Sequence, residues 1–343
     1  MPSLKTLKRI CITPHVSGVG GMVSFQGKLL SGLAGQGVEV TSNLSDEPID
    51  AVLVIGGTRN LLALRRLARR GVPIVQRLDG INWLHRRLRT GYRHWLRAEI
   101  GNWLLAYIRE RIAARIIYQS KFVENWWERV YGPGPDYKQV IHNGVDLNIF
   151  RPDVTNNPPN DRISILMVEG NLRGGHELGI ESAVALTEGL QTGRNKVELV
   201  VAGQIDAELA KKWTHKANIE ISWSGVIPHE QLPKLYGGTH LLFSGDLNAA
   251  CPNSVIEAMA CGLPVLAFNT GALSELVSEK AGRVVSYGGD PWKLDRPNIP
   301  GLVEGAKEIL NNQASFRSGA RSCAEEKFGL DGMVDAYLEV LGG

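Results

Sequence analysis

The segment Cys251–Val265 carries a proline, a glutamate and a glycine at spacings that suit the binding of an anion and of hydroxyl groups. Pro252 favours the first turn of a helix and Gly262 favours a helix end, so the spacing predicts a helix that runs to about Ala260. The start of such a helix offers backbone N–H groups to a diphosphate. Glu257, one to two turns in, is a carboxylate able to accept hydrogen bonds from ribose hydroxyls. On periodicity alone, however, a glutamate at this position is more often a solvated surface residue.

A second candidate for anion binding is the glycine run Gly18–Met22, which contains Gly20 and Gly21 and follows a strand that ends at Thr13. Glycines let backbone N–H groups approach an anion at the positive end of a helix. The run lacks the spacing G-x-G-x-x-G, and no acidic residue closes the second strand, Val38–Thr41, so a nicotinamide cofactor is not expected. The alternative is a turn that only connects the first strand to its helix.

Arg77 and Asp79 follow the apolar run Pro73–Gln76, which is a predicted strand. Open α/β sheets bind their ligands at the carboxyl ends of the strands, so these two side chains are candidates for a site. A structural ion pair that caps the strand is the alternative interpretation.

Basic and aromatic residues interleave in the segment His85–Arg97. Such a segment can lie on an anionic membrane surface, engage a lipid-phosphate acceptor or contact nucleic acid. Nucleic acid is not expected as a partner, because no recognised nucleic-acid module accompanies the segment. A solvated basic helix is the alternative.

The elements that position these residues alternate between short β-rich runs and helical patterns, which indicates a parallel sheet with helices on both faces. The first set of predicted strands is Arg9–Thr13, Val38–Thr41, Ala51–Ile55, Pro73–Gln76 and Arg115–Gln119, with helices near Met22–Ala34, Leu61–Arg70 and Trp95–Ala114. A polar stretch with three prolines and three asparagines, Arg151–Asp161, is the predicted linker.

The alternation restarts after the linker, so the sequence predicts two doubly wound α/β domains, residues 1–151 and 152–328. Strands of the second domain are expected at Ile163–Val168, Val197–Ala202, Glu220–Trp223, His240–Phe243, Pro264–Phe268 and Arg283–Ser286. Residues 329–343 hold a last helical pattern with no strand after it, which leaves open a return to the first domain. Residues 1–151 carry 22 basic and 11 acidic side chains, whereas residues 152–343 carry 16 and 24. The first domain should therefore attract anionic ligands or surfaces.

Three motifs together resemble the retaining glycosyltransferase family four. They are Gly18–Met22, the run His142–Pro152 with its sequence HNGVDLNIFRP, and Pro252–Val265. The resemblance implies a GT-B fold, in which two Rossmann-like doubly wound domains face each other across a cleft. It also implies that the N-terminal domain binds the acceptor, that the C-terminal domain binds a nucleotide-sugar donor, and that no metal cofactor takes part.

By the same resemblance, Glu257 would hold the donor ribose, and the backbone at Ser254 and Val255 would meet the diphosphate. The glycine loop, at Gly20 and Gly21, would also contact the donor. In related enzymes the end of the fourth strand carries a residue that faces the reacting sugar, and Asp79 occupies roughly that position here.

The family also places basic side chains after the first strand of the second domain, where they neutralise the departing diphosphate. This chain has the run Glu169–His176 there. Asn171 stands near the usual arginine position and His176 near the usual lysine position, so Arg173 is the expected catalytic cation, alongside Asp79. An exposed loop arginine is the alternative.

One departure from the family concerns a pair of glutamates with the spacing E-x7-E. The second is Glu257, but the first position holds Ala249, and Asp246 and Asn248 lie nearby out of register. The first carboxylate contacts the transferred sugar in the family. Its absence leaves open a catalytically weak or inactive nucleotide-sugar-binding protein, or a nucleotide-sugar epimerase, as alternatives.

The sequence thus predicts a metal-independent, retaining glycosyltransferase of polysaccharide or glycolipid biosynthesis, with a glycan, a lipid-linked molecule or a small molecule as acceptor. No apolar run approaches the length of a membrane span, Met1–Arg9 lacks the features of a signal peptide, and the four cysteines form no C-x-x-C pair. We therefore expect a cytoplasmic protein without disulfides. The basic segment adds the expectation of a peripheral contact at the inner face of the membrane.

Overall fold

The computed structural model describes residues 7–18, 20–172, 177–192 and 196–343, and it describes Asn171 by its backbone alone. The chain forms two compact units, of which the first combines Met1–Gly144 with Leu330–Gly343 and the second is Val145–Gly329. The division therefore lies a few residues before the predicted boundary at Arg151. The reason is that Val145 is fixed to the second unit, where its N–H group donates a hydrogen bond to the carbonyl of Phe328.

Over its described residues, the first unit contains a six-stranded parallel sheet with the strand order β2-β1-β3-β4-β5-β6. The strands are β1 (Arg9–Thr13), β2 (Glu39–Thr41), β3 (Ala51–Ile55), β4 (Ile74–Leu78), β5 (Arg115–Tyr118) and β6 (Lys138–Val140). All five residues of β3 are buried, as is typical of a central strand in a sheet covered on both faces. Because β3 lies on the other side of β1 from β2, the order of the strands reverses there, beside the glycine loop.

The helices of the first unit cover both faces of this sheet. They are α1 (Gly21–Gly35), α2 (Leu61–Arg69), α3 (Tyr92–Arg111) and α4 (Lys121–Tyr131). One apolar core contains Phe25, Leu29 and Leu33 of α1. A second core contains Leu64 and Leu67 of α2 with Ile108 of α3.

Within the described part of the second unit, a six-stranded parallel sheet has the order β12-β11-β10-β7-β8-β9. The strands are β7 (Ile163–Asn171), β8 (Val197–Gln204), β9 (Glu220–Gly225), β10 (Leu241–Ser244), β11 (Val265–Phe268) and β12 (Gly282–Val285). The order reverses between β7 and β10, which are hydrogen-bonded neighbours. A doubly wound sheet binds its ligand at such a reversal, outside the carboxyl ends of the strands.

The helices of the second unit connect these strands and follow the last of them. They are α5 (Glu177–Leu190), α6 (Ala207–Lys216), α7 (Leu232–Gly237), α8 (Asn253–Ala260), α9 (Leu273–Leu276), α10 (Ile299–Asn311) and α11 (Gln313–Lys327). Arg321 of α11 holds the start of the unit in place, because its guanidinium donates hydrogen bonds to the carbonyls of Leu147 and Phe150.

The C-terminal helix, α12 (Leu330–Gly342), belongs to the first unit and packs on α1. The two helices approach each other closely at Gly32, where a Cβ atom would lie 2.3 Å from Cγ2 of Val334. Tyr337 continues this contact with a ring centroid 5.4 Å from that of Phe25. No helix in the described parts of the chain combines the length and hydropathy that a membrane span requires.

Candidate functional site

The start of α8 lies directly after the loop that leaves β10, beside the reversal of the second sheet. Pro252 precedes the helix in an extended conformation and has no side-chain oxygen with which to cap it. The N–H groups of the first turn, which include those of Ser254 and Val255, have no acceptor within the helix and carry its partial positive charge. These groups are placed where an anion could bind them.

Glu257 is buried in the second turn of α8, with 3% of its surface exposed. Its Oε2 accepts a hydrogen bond from the hydroxyl of Tyr236 at 3.3 Å, and its Oε1 lies 3.3 Å from Nε2 of His229. The alternative of a solvated surface glutamate is therefore wrong. The polar partners Tyr236 and His229 hold the carboxylate inside the domain.

Tyr236 is fully buried, and burial raises the pKa of its hydroxyl well above the usual value. The charge of Glu257 raises this pKa further, and that of Glu169 adds a smaller effect. The phenol therefore stays neutral and serves as a hydrogen-bond donor. Because the charges of Glu257 and Glu169 both raise the pKa of Tyr236, the three side chains lie near one another.

Glu169 lies in the last part of β7, and Asp246 follows the end of the neighbouring strand β10. Both side chains are half-buried. Burial raises the pKa of Glu169 well above its usual value, and the negative charge of Asp246 raises it further. The two carboxyl groups therefore lie near enough at the reversal of the sheet for the charge of one to disfavour ionisation of the other.

A β-bulge between Val168 and Asn171 shifts the register of β7 on β8. Gly203 makes room for it, since a Cβ atom there would lie 1.8 Å from the carbonyl oxygen of Glu169. Bulges redirect neighbouring side chains, so this irregularity fixes how the end of β7 presents Glu169. The sequence interpretation missed Glu169, although an acidic residue at the end of the apolar run Ile163–Val168 was a signal for it.

Ala249 is buried, and the backbone of the next loop packs against it. Its carbonyl accepts a hydrogen bond from Ala272 at 2.9 Å, and a Cβ atom on Gly271 would lie 2.4 Å from the backbone nitrogen and oxygen of Ala249. The position where the family has its first glutamate is therefore a tightly packed turn here. Asn248, directly before it, has a φ of 59°, which is rare for a residue other than glycine.

The glycine loop of the first unit lies at the reversal between β1 and β3. Gly20 precedes α1 with a φ of 146° and a ψ of 173°, a conformation open essentially only to glycine. A Cβ atom at Gly20 would meet no other atom within 4 Å, so the backbone conformation rather than crowding requires glycine. Gly21 is exposed at the first position of the helix.

Arg77 is buried at the end of β4, where its Nη2 donates a 2.8 Å hydrogen bond to Oδ1 of Asn143. Its guanidinium lies 3.6 Å above the ring of Phe25. Asp79 is half-buried, and burial raises its pKa although the charge of Arg77 acts in the opposite direction. The hydrogen-bond acceptor of Arg77 is thus the amide of Asn143, contrary to the ion pair with Asp79 that was one interpretation of the sequence.

Three predicted site residues cannot be placed. Arg173 and His176 lie outside the described residues, and so does the side chain of Asn171. Within the described ranges, no three histidine, cysteine, aspartate or glutamate side chains are grouped as ligands for a metal ion. Metal independence stays a prediction.

The predicted basic segment divides into two parts. Arg86 is exposed but paired, since its Nε and Nη2 donate hydrogen bonds of 2.6 and 2.8 Å to Glu99 of α3. These bonds, with a smaller contribution from His85, lower the pKa of Glu99 to about 2. Arg87 and Arg89 remain exposed.

Comparison with known proteins identifies the domain that holds this site. Residues 152–321 match the family model described as glycosyl transferases group 1. The chain is 26% identical over 293 residues to D-inositol 3-phosphate glycosyltransferase 1 from Catenulispora acidiphila, a match that covers 79% of this chain and 66% of that protein. The chain thus spans just under two thirds of this curated relative.

Solved structures share the fold over nearly the whole chain. Sucrose-phosphate synthase from Thermosynechococcus elongatus has a TM-score of 0.74 at 16% identity, with 97% of this chain and 98% of that chain covered. HepE from Anabaena, solved with UDP and glucose, has a TM-score of 0.69 at 15% identity, with 97% and 99% covered. The resemblance found in the sequence is confirmed for residues 152–321, which match the model of the glycosyl transferases group 1 family, and the chain has the GT-B fold of two Rossmann-like domains.

Proposed function

We propose that this chain is a glycosyltransferase that moves a sugar from a nucleotide-sugar donor to an acceptor, with retention of configuration and without a metal ion. The burial of Glu257 behind the uncapped start of α8 is the observation that carries the proposal. An anion site and a hydroxyl site one to two turns apart match the diphosphate and the ribose of one nucleotide. The family match and the UDP bound to HepE support this assignment.

The first turn of α8 binds the diphosphate through the N–H groups of Ser254 and Val255. Glu257 accepts hydrogen bonds from the ribose. A carboxylate has about four acceptor sites over its two oxygens, so one such group can accept hydrogen bonds from several hydroxyls.

The carboxyl groups of Glu169 and Asp246 bind hydroxyls of the transferred sugar. They replace the carboxylate that the family has at position 249, because they lie at the reversal of the same sheet, close to Tyr236 and Glu257. Because the pKa of Glu169 is raised, its protonated carboxyl can donate a hydrogen bond while a neighbouring carboxylate accepts one, as sugar hydroxyls require. This assignment favours an active enzyme over the inactive binding protein that Ala249 suggested.

Catalysis depends on stabilising the negative charge that develops on the departing diphosphate. The start of α8 and Arg173 supply the positive charge. Asp79 faces the reacting sugar, where its raised pKa brings its titration nearer to neutral pH. Gly20, Gly21, Asn171 and His176 complete the donor contacts.

The acceptor carries a negative charge, such as a phosphate group. The excess of basic side chains in residues 1–151 supports this, and so does the phosphate in the name of the Catenulispora relative. The chain works in the cytoplasm and contacts the inner face of the membrane peripherally, where lipid-linked acceptors are found.

Calorimetry with UDP and Glu257→Gln tests the assignment of the ribose site. A neutral amide accepts hydrogen bonds less strongly than a carboxylate, so the variant should lose on the order of 1–3 kcal/mol of nucleotide affinity. Glu304→Gln is the matched control, because Glu304 is an exposed carboxylate of α10 paired with Lys307. Equal affinity of Glu257→Gln and wild type, with the fold intact, would remove Glu257 from the site.

A further inference from the structure

Helix α3 exposes a row of large apolar side chains along one face. Tyr92, Leu96, Ile100 and Trp103 are exposed over 75%, 40%, 53% and 59% of their surfaces. Their spacing of three to four residues places them on one side of an α-helix. Single exposed apolar residues are ordinary, but a contiguous row on a surface indicates a partner.

The other side of α3 is already occupied, which fixes the orientation of this row. Ala98, Asn102 and Ala106 are buried against the first unit. Asn102 ties the helix to the preceding loop, since its side chain donates a 2.8 Å hydrogen bond to the carbonyl of Asn82. The exposed row therefore belongs to a helix held firmly in place, with its apolar face outward.

Arginines border the row on one side. Arg93 and Arg97 are exposed on α3 and follow one residue after Tyr92 and Leu96, so they flank the apolar stripe. The acidic residue of this part of the helix, Glu99, is engaged by Arg86 and His85. The face thus combines aromatic and aliphatic side chains with positive charge.

We infer that this face of α3, defined by Tyr92, Arg93, Leu96, Arg97, Ile100 and Trp103, binds the surface of an anionic lipid bilayer, an inference that rests on the peripheral membrane contact of the proposed function. A helix of this kind lies in the plane of the membrane with its apolar side chains among the acyl chains and its arginines at the phosphates. Tryptophan and tyrosine favour this interface, because each has an apolar ring and a polar group. Exposed Arg93 and Arg97 beside the apolar row complement the negative charge of anionic lipid headgroups, which makes such a bilayer the expected occupant of this face.

Within the predicted segment His85–Arg97, the loop before α3 thereby contributes less to binding than the part that lies on α3. Arg86, which belongs to the predicted basic segment, donates two hydrogen bonds to Glu99. The apolar stripe, which a count of charges does not reveal, provides most of the attachment. The stripe lies in the first unit and binds lipid without a donor, so its failure would leave nucleotide binding by the second unit untouched.

Sedimentation of the full chain with vesicles of phosphatidylcholine, with and without phosphatidylglycerol, tests this inference. Wild type should bind the anionic vesicles. The triple variant Leu96→Ser, Ile100→Ser, Trp103→Ser should bind these vesicles at least about tenfold more weakly, because three inserted apolar side chains are lost. Its matched control, Val154→Ser with Val226→Ser, removes exposed apolar side chains from the second unit and should bind like wild type.

The charged part of the face has its own control. Arg93→Gln with Arg97→Gln should weaken binding at low salt and lose this effect as salt rises, because salt screens charges but not apolar insertion. The pair Lys211→Gln with Arg296→Gln, exposed residues of the second unit, should have little effect. Equal sedimentation of wild type and the folded triple variant would overturn the inference. So would a wild type that is dimeric in ultracentrifugation, binds no vesicles and becomes monomeric in the triple variant, because the face would then join two copies of the chain.

Discussion

Glu257 and Glu169 reach the same part of the second unit from positions far apart in the chain. The sequence motif identified Glu257, because helix-start and helix-end residues surround it within a few positions. The motif did not identify Glu169, His229 or Tyr236. These residues come close to Glu257 only through the pairing of β7 with β10 and the path of the chain before α7. Local spacing predicts groups that one helix holds together, whereas contacts between elements follow from packing.

The carboxyl pair of Glu169 and Asp246 gives a pH-dependent prediction. Because the pKa of Glu169 is raised, its protonated form persists above the usual range, and kcat/KM should fall as pH rises through that raised pKa. Glu169→Gln keeps a donor but cannot titrate, so it should flatten this decline. Glu169→Ala should lower kcat/KM roughly twofold to tenfold, the usual size for a lost hydrogen bond between neutral groups. Rate profiles across pH with a responsive donor check this.

The raised pKa of Glu169 also makes the stability of the folded state depend on pH in a predictable direction. The folded state holds the proton of Glu169 more tightly than the unfolded chain, so its contribution to stability is full below the ordinary pKa and is lost as pH rises through the raised pKa. Glu169→Gln should therefore raise Tm at neutral pH. Glu220→Gln, an exposed glutamate at the start of β9, is the control. A decline of kcat/KM unchanged in Glu169→Gln, with Tm unaltered, would contradict both assignments.

At the scale of elements, the apolar runs predicted the central strands well. β1 and β3 begin and end as expected, because buried parallel strands are continuous apolar runs bounded by polar residues. Helix α4 was not predicted, although Val123, Trp126, Trp127 and Val130 have helical spacing and the side chain of Ser120 accepts a hydrogen bond from the N–H of Val123. Tryptophans occur in strands as readily as in helices, which weakened that signal.

The close approach of α1 and α12 predicts opposite effects for two similar substitutions. Gly32→Ala places a methyl group against Val334 and should destabilise the protein by about 1–3 kcal/mol, the usual cost of overpacking. Gly27→Ala on the same helix meets no atom within 4 Å and should stabilise it by roughly 0.5–1 kcal/mol through helix propensity. Denaturant unfolding measures both.

The pairing of Gly32 with Val334 has a further check. Adding Val334→Ala to Gly32→Ala should recover part of the loss, because the smaller side chain makes room for the methyl group. If Gly32→Ala proves as stable as Gly27→Ala, the described packing of α12 on α1 is incorrect.

At the scale of the whole molecule, the sequence predicted two doubly wound domains and a basic first half, and the two parallel sheets have that architecture. It placed the division at Arg151, whereas Val145–Phe150 belong to the second unit. Composition marked the polar stretch Arg151–Asp161. The hydrogen bonds that fix the residues before it involve Arg321 and Phe328, which lie at least 171 residues further along the chain. Contacts of such long range leave no trace in local composition.

The central claim is transfer from a nucleotide sugar with retention, and a proton NMR time course tests it most directly. UDP-glucose and other nucleotide sugars are incubated with the full chain, D-inositol 3-phosphate and EDTA, and the anomeric signals of donor and product are followed. We predict that nucleoside diphosphate is released in the presence of EDTA and that the first product formed from an α-linked donor has the small anomeric coupling of an α-glycoside. A large coupling would show inversion. Donor that binds the chain but stays intact with water and every acceptor tried would show a binding protein, and either result would contradict the proposed function.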